Sequence, residues 1–258
     1  MAKAEAQGQA LAAKAGAPAN ATIEQLRALP LAVLEKGDER EDYSPAVDGR
    51  LLTESVSQAF AAGNAARVPL MIGTNSYEAS LMTSLKLSPA TVLAFTPASL
   101  KAAYADEPTD AARAAAIFTD SFMGAPGRWV AGKAAAGPSY LYHFAYVPDM
   151  RRGKVPGAGH DTEIPFVFDS WSTLGALGAG VRPTDQDKAV TALIHSCWVS
   201  FARTSVPTCT GAPAWPAYAT TRDTLMHFDA TTTLETHFRR SRYDAQEASL
   251  LPTLQLPK

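Results

Sequence analysis

Two short segments carry residue types at a spacing that could do chemistry. His160 stands in Pro156-Gly-Ala-Gly-His-Asp-Thr-Glu163-Ile-Pro-Phe-Val-Phe168. Small residues before it free the loop backbone and leave the imidazole room, and the apolar run after it anchors the loop to a core. A histidine on such a loop, just beyond a strand, suits a general base that takes and returns a proton near neutral pH. Glu78 closes the segment Gly73-Thr-Asn-Ser-Tyr-Glu78. The apolar run Val68–Ile72 before it reads as a buried strand that delivers Glu78 near the carboxyl ends of a sheet, where open α/β sheets place their sites. A carboxylate there orients a histidine and stabilises it once protonated. Taken singly, each residue also has an ordinary reading. His160 fits a structural histidine, and Glu78 fits a solvated acid in the first turn of a helix.

Other candidates carry less. His143 sits inside an aromatic strand and reads as a packing or hydrogen-bonding residue; His195 lies on a helix; His227 and His237 have no informative neighbours. With no His-Glu-x-x-His and no Cys-x-x-Cys, no metal site is expected. The stretch from Gly127 to Gly132-Lys133-Ala134 nearly spells a phosphate loop but lacks the final Ser or Thr that would hold Mg²⁺, and reads as a helix containing a glycine. Gly175, Gly178 and Gly180 lack the dinucleotide spacing and read as a surface loop. Cys197 and Cys209 are too few for a disulfide framework. They allow one bridge or two free thiols, and free or incidental thiols are the expectation.

The elements that must position the two segments are legible in outline. An Ala-rich helix is expected from Ala2 to Ala15. A capping box at Thr22–Gln25 starts a second helix, which Pro30 ends or restarts. Residues 36–50 read as a surface connection, residues 54–66 as a short helix, and 76–87 and 98–105 as further helices. Residues 110–136 read as helical with an interruption near Gly124–Gly127. Ser139–Val147 is the best strand, rich in aromatics. Loops follow at 148–160 and 171–183, then a strong helix from Asp185 to Arg203, a short strand Leu225–Phe228 and a closing helix at 240–250. No internal repeat or clear domain linker is visible. Strands separated by long helical stretches predict an α/β sheet, mostly parallel, with flanking helices.

Composition narrows the class. The 258 residues hold 23 Lys and Arg against 25 Asp and Glu, a net charge of −2, which argues against binding led by nucleic-acid phosphates. At 47% hydrophobic and 19% charged the chain has ample apolar surface to bury, and intrinsic disorder is excluded for most of it. No run of 18 apolar residues reads as a membrane span. The first 17 residues lack a Leu/Val/Phe-rich core and do not read as a signal peptide.

The two chemical segments together resemble the C-terminal half of the type-B carboxylesterases, the family of the cholinesterases and the para-nitrobenzyl esterases. The matching stretches run almost end to end: Pro45–Gly49, Val68–Glu78, Gly159–Phe168, Trp198–Pro207 and Ala214–Tyr218. Glu78 and His160, 82 residues apart, also resemble the family's acid-to-histidine spacing. The resemblance implies that residues 1–258 are the C-terminal portion of a single α/β-hydrolase domain. It implies hydrolysis of a small-molecule carboxylic ester by a Ser–Glu–His triad. Glu78 is then the acid, His160 the general base, and Glu163 a supporting hydrogen-bond partner. No cofactor is implied. Full-length relatives are often secreted or periplasmic, and the compartment of this chain stays open.

One element of the resemblance is missing. The family nucleophile sits in Gly-x-Ser-x-Gly on a strained turn between strand and helix. No Ser here precedes a Gly by two positions, and no Gly-Gly dipeptide could form the oxyanion loop. The expectation is a C-terminal portion that needs an N-terminal half as partner and has little or no esterase activity alone. Without that half an apolar strand edge and sheet faces would lie open and invite aggregation. Two alternatives are an inactive gene fragment and a non-catalytic binding protein on the same fold. The presence of both Glu78 and His160 speaks against the latter, because a pure scaffold needs neither.

Overall fold

The computed structural model describes residues 2–37, 45–134, 137–171 and 182–254. The chain divides into two compact units, residues 1–56 and 57–258, at a boundary inside a helix rather than at a linker. The glycine cluster at Gly175, Gly178 and Gly180 and the middle of the 36–50 connection lie outside the described residues.

The first unit holds α1 (Ala2–Lys14), α2 (Ile23–Arg27) and α3 (Leu31–Gly37), with α1 packed on α3. Thr22 and Gln25 form the expected capping box at α2, each side chain bonding the other's backbone N–H. Helix α1 buries none of its residues. Its alanines give good helix propensity but no continuous apolar stripe to dock.

The second unit is built on a four-stranded sheet in the order β1 (Leu70–Asn75), β2 (Ser139–Phe144), β3 (Thr224–Phe228), β4 (Thr233–Thr236). The first three strands are parallel, and β4 returns antiparallel to β3. The sheet is thus mixed, and the α/β class is as read from sequence. Strand β4, short and largely exposed, carries no signal because Thr-Leu-Glu-Thr is too brief to show alternation. Two strands differ from expectation at their ends. The first runs on to Asn75, because backbone pairing with β2 continues through Asn75 and Phe144. The second stops at Phe144 rather than Val147.

Both faces of the central strands are covered. Tyr140, Phe144, Met226 and Phe228 pack on one side with Phe166 of α10 (Ile164–Phe168) and with Val190, Ile194 and Cys197 of α11 (Asp185–Thr204). Leu141 and Leu225 pack on the other side with Ala131 of α9 (Ala125–Lys133). This two-sided burial explains why β2 reads as a nearly continuous apolar run. Strand β1 is less covered: Leu70, Met71, Ile72 and Gly73 are only partly buried. Among the described residues the two outer edges of the sheet are unpaired, that of β1, whose one partner is β2, and that of the short β4, whose one partner is β3.

Helix α4 (Val56–Ala62) matches the short helix expected there. The helix expected at 76–87 is a single 3₁₀ turn, Glu78–Ser80, followed by α5 (Leu81–Ser84). Next come α6 (Pro89–Phe95), capped by Ser88 with Pro89 in its first turn, and α7 (Ala98–Ala102). The expected break near Gly124–Gly127 is instead a π-helical turn, Asp120–Gly124, joining α8 (Asp110–Thr119) to α9. Pro126 follows this turn within one continuous helical run, and with no N–H of its own it interrupts the regular ladder where the π-helical turn passes into α9. The near-phosphate-loop glycines therefore belong to a helix, as read. Helix α12 (Arg240–Leu250), followed by a 3₁₀ turn at Leu251–Thr253, is the last α-helix among the described residues.

The cysteines overturn the expectation of free thiols. Cys197 on α11 and Cys209 on the following loop are joined in a disulfide with Cα atoms 4.4 Å apart. Their separation in the sequence is only 12 residues, but nothing in the sequence places the loop against that face of the helix. The turn after α11, with Ser205 in the left-handed region, brings Cys209 back.

Candidate active site

The chain leaves β1 at its carboxyl end and turns at once into the 3₁₀ segment that begins with Glu78. The turn holds the carboxylate inward: Glu78 Oε1 accepts the backbone N–H of Asn75 at 2.7 Å and the Thr74 hydroxyl at 3.3 Å. Glu78 is 4% exposed, so the reading of a solvated first-turn acid does not hold. These short-range donors satisfy one oxygen and leave Oε2 to face the histidine loop.

The histidine loop comes alongside as an extension of the parallel sheet. Tyr77 N–H donates to Ala158 O at 2.8 Å, and Tyr77 bridges Gly159 in parallel. Ala158 N–H donates to Ser76 Oγ at 2.9 Å, and His160 N–H donates to Ser80 Oγ at 2.8 Å. Gly157 makes the approach possible, since a Cβ there would stand 2.7 Å from Ser76 Oγ. Beyond the loop, α10 inserts Phe166 between Phe144, Tyr146 and Trp171 at ring separations of 5.3, 5.5 and 4.8 Å. The apolar run after His160 is the anchor its composition predicted.

The result is a short contact across 82 residues: His160 Nδ1 lies 2.7 Å from Glu78 Oε2. The carboxylate is buried while the imidazole keeps 30% of its side chain exposed. The opposite nitrogen, Nε2, lies 3.2 Å from the exposed Asp161 carboxylate. The ring borders a cleft of about 180 Å³ whose walls include Tyr77, Ser80, Val147, Pro148 and Val155. A carboxylate on Nδ1 favours the tautomer with its proton there, which makes Nε2, beside Asp161, the nitrogen that can accept another.

Glu163 joins the same cluster. Its Oε2 accepts a short hydrogen bond from the Asn75 side-chain amide, which also donates to Gly159 O at 2.7 Å. Burial raises the Glu163 carboxyl above its usual range, against the pull of the Asn75 bond, and the Glu78 charge adds to the rise. The structure thus brings Glu78, His160 and Glu163 to one place. Sequence reading gave no role to Asn75, Ser76 or Ser80. Their one signal was position, between the strand and the first turn after Glu78, where side chains can reach a neighbouring loop.

The remaining histidines stand apart from the cluster. His143 on β2 is buried against His227 and Phe238, with ring centroids at 5.0 and 4.4 Å. Neither of its nitrogens has a hydrogen-bond partner among the described residues. His195 places Nδ1 2.8 Å from Val167 O and ties α11 to α10. No group of three or more potential metal ligands occurs among the described residues. No helix among them is long and apolar enough to cross a membrane.

A model of the carboxylesterase family matches residues 94–246. The para-nitrobenzyl esterase of Bacillus subtilis is 30% identical over 217 residues, which are 75% of this chain and 40% of that protein. Carboxylesterase 5A of Canis lupus familiaris is 33% identical over 88 residues, 33% of this chain and 15% of that one. The crystal structure of a carboxylesterase from Geobacillus stearothermophilus aligns with a TM-score of 0.77 at 25% identity, covering 95% of this chain and 54% of its own. The chain therefore spans about two-fifths of that Bacillus relative and about half of the solved structure.

Proposed function

The chain belongs to the carboxylesterase family and carries part of its α/β-hydrolase fold, and on that premise we propose that it supplies the acid and the base of a Ser–Glu–His esterase triad. The observation that carries this reading is the 2.7 Å contact between His160 Nδ1 and the buried Glu78 carboxylate, on a ring that keeps 30% of its side chain exposed. In the working enzyme Nε2 takes the proton of a serine hydroxyl as it attacks the ester carbonyl. It then gives the proton to the departing alkoxide, and a second round with water releases the acid. Glu78 holds the ring and stabilises the imidazolium as it forms. Glu163 supports the loop that carries the histidine.

The serine comes from outside these 258 residues, which contain no Gly-x-Ser-x-Gly. We assign it, together with the oxyanion donors, to an N-terminal half of the enzyme that adds strands beside β1. The unpaired edge of β1 supports that assignment, since an open strand edge is a template for another strand. Removing one oxyanion donor alone costs about 3 kcal/mol in a comparable site, so the isolated chain lacks both its nucleophile and much of its transition-state stabilisation.

The test is hydrolysis of a short-chain para-nitrophenyl ester by the purified chain, alone and mixed with a polypeptide carrying the family's N-terminal half. His160→Ala is run in parallel. Turnover that needs both pieces and His160 is the expected result. Turnover by the 258 residues alone that survives His160→Ala overturns the reading.

A further inference from the structure

We infer that Asn75 is a positioning residue of this site: its side-chain amide clamps the histidine loop from both sides of His160, while its backbone N–H holds Glu78. The inference rests on the proposed Glu78–His160 pair and adds to it the part that keeps the pair in register.

Three bonds carry it. The Asn75 side-chain nitrogen donates to Gly159 O, immediately before His160, and to the Glu163 carboxylate, three residues after it. The backbone N–H of the same residue donates to the Glu78 oxygen that does not face His160. Asn75 is 2% exposed, so these bonds are shielded from competing water. It is also the last residue of β1, paired with Phe144 of β2, so the clamp is mounted on the sheet rather than on a loop. A neutral amide suits the place. It offers two N–H donors to two acceptors and adds no charge between the buried Glu78 carboxylate and the partly buried Glu163 carboxylate. An aspartate of the same shape would have no N–H to donate and, ionised, would face Glu163 with like charge.

The readout is the low-field proton resonance of the histidine Nδ1–H···carboxylate bond, recorded on the 258-residue chain with labelled histidine. It requires no turnover. In the unsubstituted chain the resonance is expected, and His160→Ala removes it. Asn75→Ala keeps the backbone bond to Glu78 but releases the loop, and the resonance should broaden or vanish. Asn75→Asp should lose it more completely, because it substitutes repulsion for a clamp. A space-filling role predicts the opposite order, with Asp closer to Asn than Ala is. Asp187→Asn, a change in a buried network on α11, serves as the stability control and should leave the resonance intact. Glu163→Ala releases the clamp from its other end with Asn75 in place, and serves where Asn75→Ala does not fold; it too should broaden the resonance. A resonance as sharp in both Asn75 variants and in Glu163→Ala as in the parent overturns the inference and leaves the Glu78–His160 pair standing. Absence of the resonance from the parent overturns both.

Discussion

Glu78 and His160 meet through Oε2 and Nδ1 at 2.7 Å, and each is fixed by a different local device. Glu78 is held by donors three and four residues before it, and His160 by the hydroxyl of Ser80, two residues beyond Glu78. The pair is therefore assembled mainly by one seven-residue stretch, 74–80, to which the histidine loop is fastened. In an enzyme completed with its nucleophile segment, Glu78→Gln should keep the fold and lower kcat by about ten-thousand-fold, the cost of the wrong tautomer in a comparable triad. His160→Ala should cost at least as much. Steady-state kinetics on para-nitrophenyl acetate reads both, and a tenfold or smaller effect of Glu78→Gln would remove it from the orienting role.

Arg128 anchors α9 to two other elements. Its guanidinium meets Asp223 with two bonds of 3.0 Å and reaches Asp244 at 2.7 Å and Glu247 at 3.1 Å on α12. The Arg128 side chain is 12% exposed and that of Asp223 only 5%. Arg128→Ala strands a buried carboxylate and should destabilise the chain by about 3–5 kcal/mol. Urea unfolding followed by circular dichroism measures this. Asp223→Asn, placed on the other partner, should cost less because it removes the stranded charge itself.

The Cys197–Cys209 bridge closes a short loop that leads to the buried Trp215. A loop of this length removes enough unfolded-chain entropy for about 3 kcal/mol of stabilisation. Reduction, or the double change Cys197→Ala with Cys209→Ala, should lower the melting temperature without altering the sheet. Titration of two thiols in the native, oxidant-exposed protein would refute the bridge directly.

Acid sensitivity should arise at His143. Burial holds its imidazole well below the usual 6.5, and the positive charge of Arg239 and the adjacent His227 act in the same direction. The folded chain keeps His143 neutral, whereas the unfolded chain protonates it below pH 6.5. Its stability contribution is therefore complete above that pH and is lost as the pH falls toward the depressed folded value. The slope from this group approaches about 1.4 kcal/mol per pH unit. His143→Phe should flatten the stability curve below pH 6.5 and should raise stability at the acid end. A slope unchanged in the variant would place the acid sensitivity elsewhere.

Gly73 is required by a ring rather than by a turn. A Cβ there would stand 2.4 Å from the ring of Tyr142, its partner on β2. Gly73→Ala should cost about 1–3 kcal/mol by forcing the ring off its site, as overpacking does. Because Tyr142 also packs edge-on against Trp198 at 5.1 Å, Trp fluorescence should shift with the melting temperature.

Legibility in the sequence followed range. The capping boxes at Thr22–Gln25 and Thr184–Asp187 join residues three apart, and the first of them was read directly. Helix α11 is legible to within one residue at its end, because twenty residues of pattern outweigh local noise, and the eleven-residue α12 is legible to the residue. The 3₁₀ turn at Glu78 was read as helix because Ser-Tyr-Glu-Ala-Ser carries no feature separating one turn from several. Its shape is set by the Thr74 and Asn75 donors that fold the carboxylate back.

The amino-acid sequence by itself determined the α/β class, the buried aromatic strand, the family resemblance and the identity of the three candidate residues Glu78, His160 and Glu163. Each of these rests on composition, on periodicity, or on short motifs in order along the chain. Only the tertiary structure decided that Glu78 is buried, that its free oxygen faces His160, that Asn75 binds both sides of the histidine loop, and that Cys197 reaches Cys209. These are contacts of side chains whose partners are chosen by strand register and loop approach. The parallel pairing of β1 with β2, the bridge from Tyr77 to Gly159 and the space left by Gly157 set distances of a few ångströms between residues far apart in sequence. No linear pattern encodes such a distance, because it exists only once the packed core has fixed where each backbone runs.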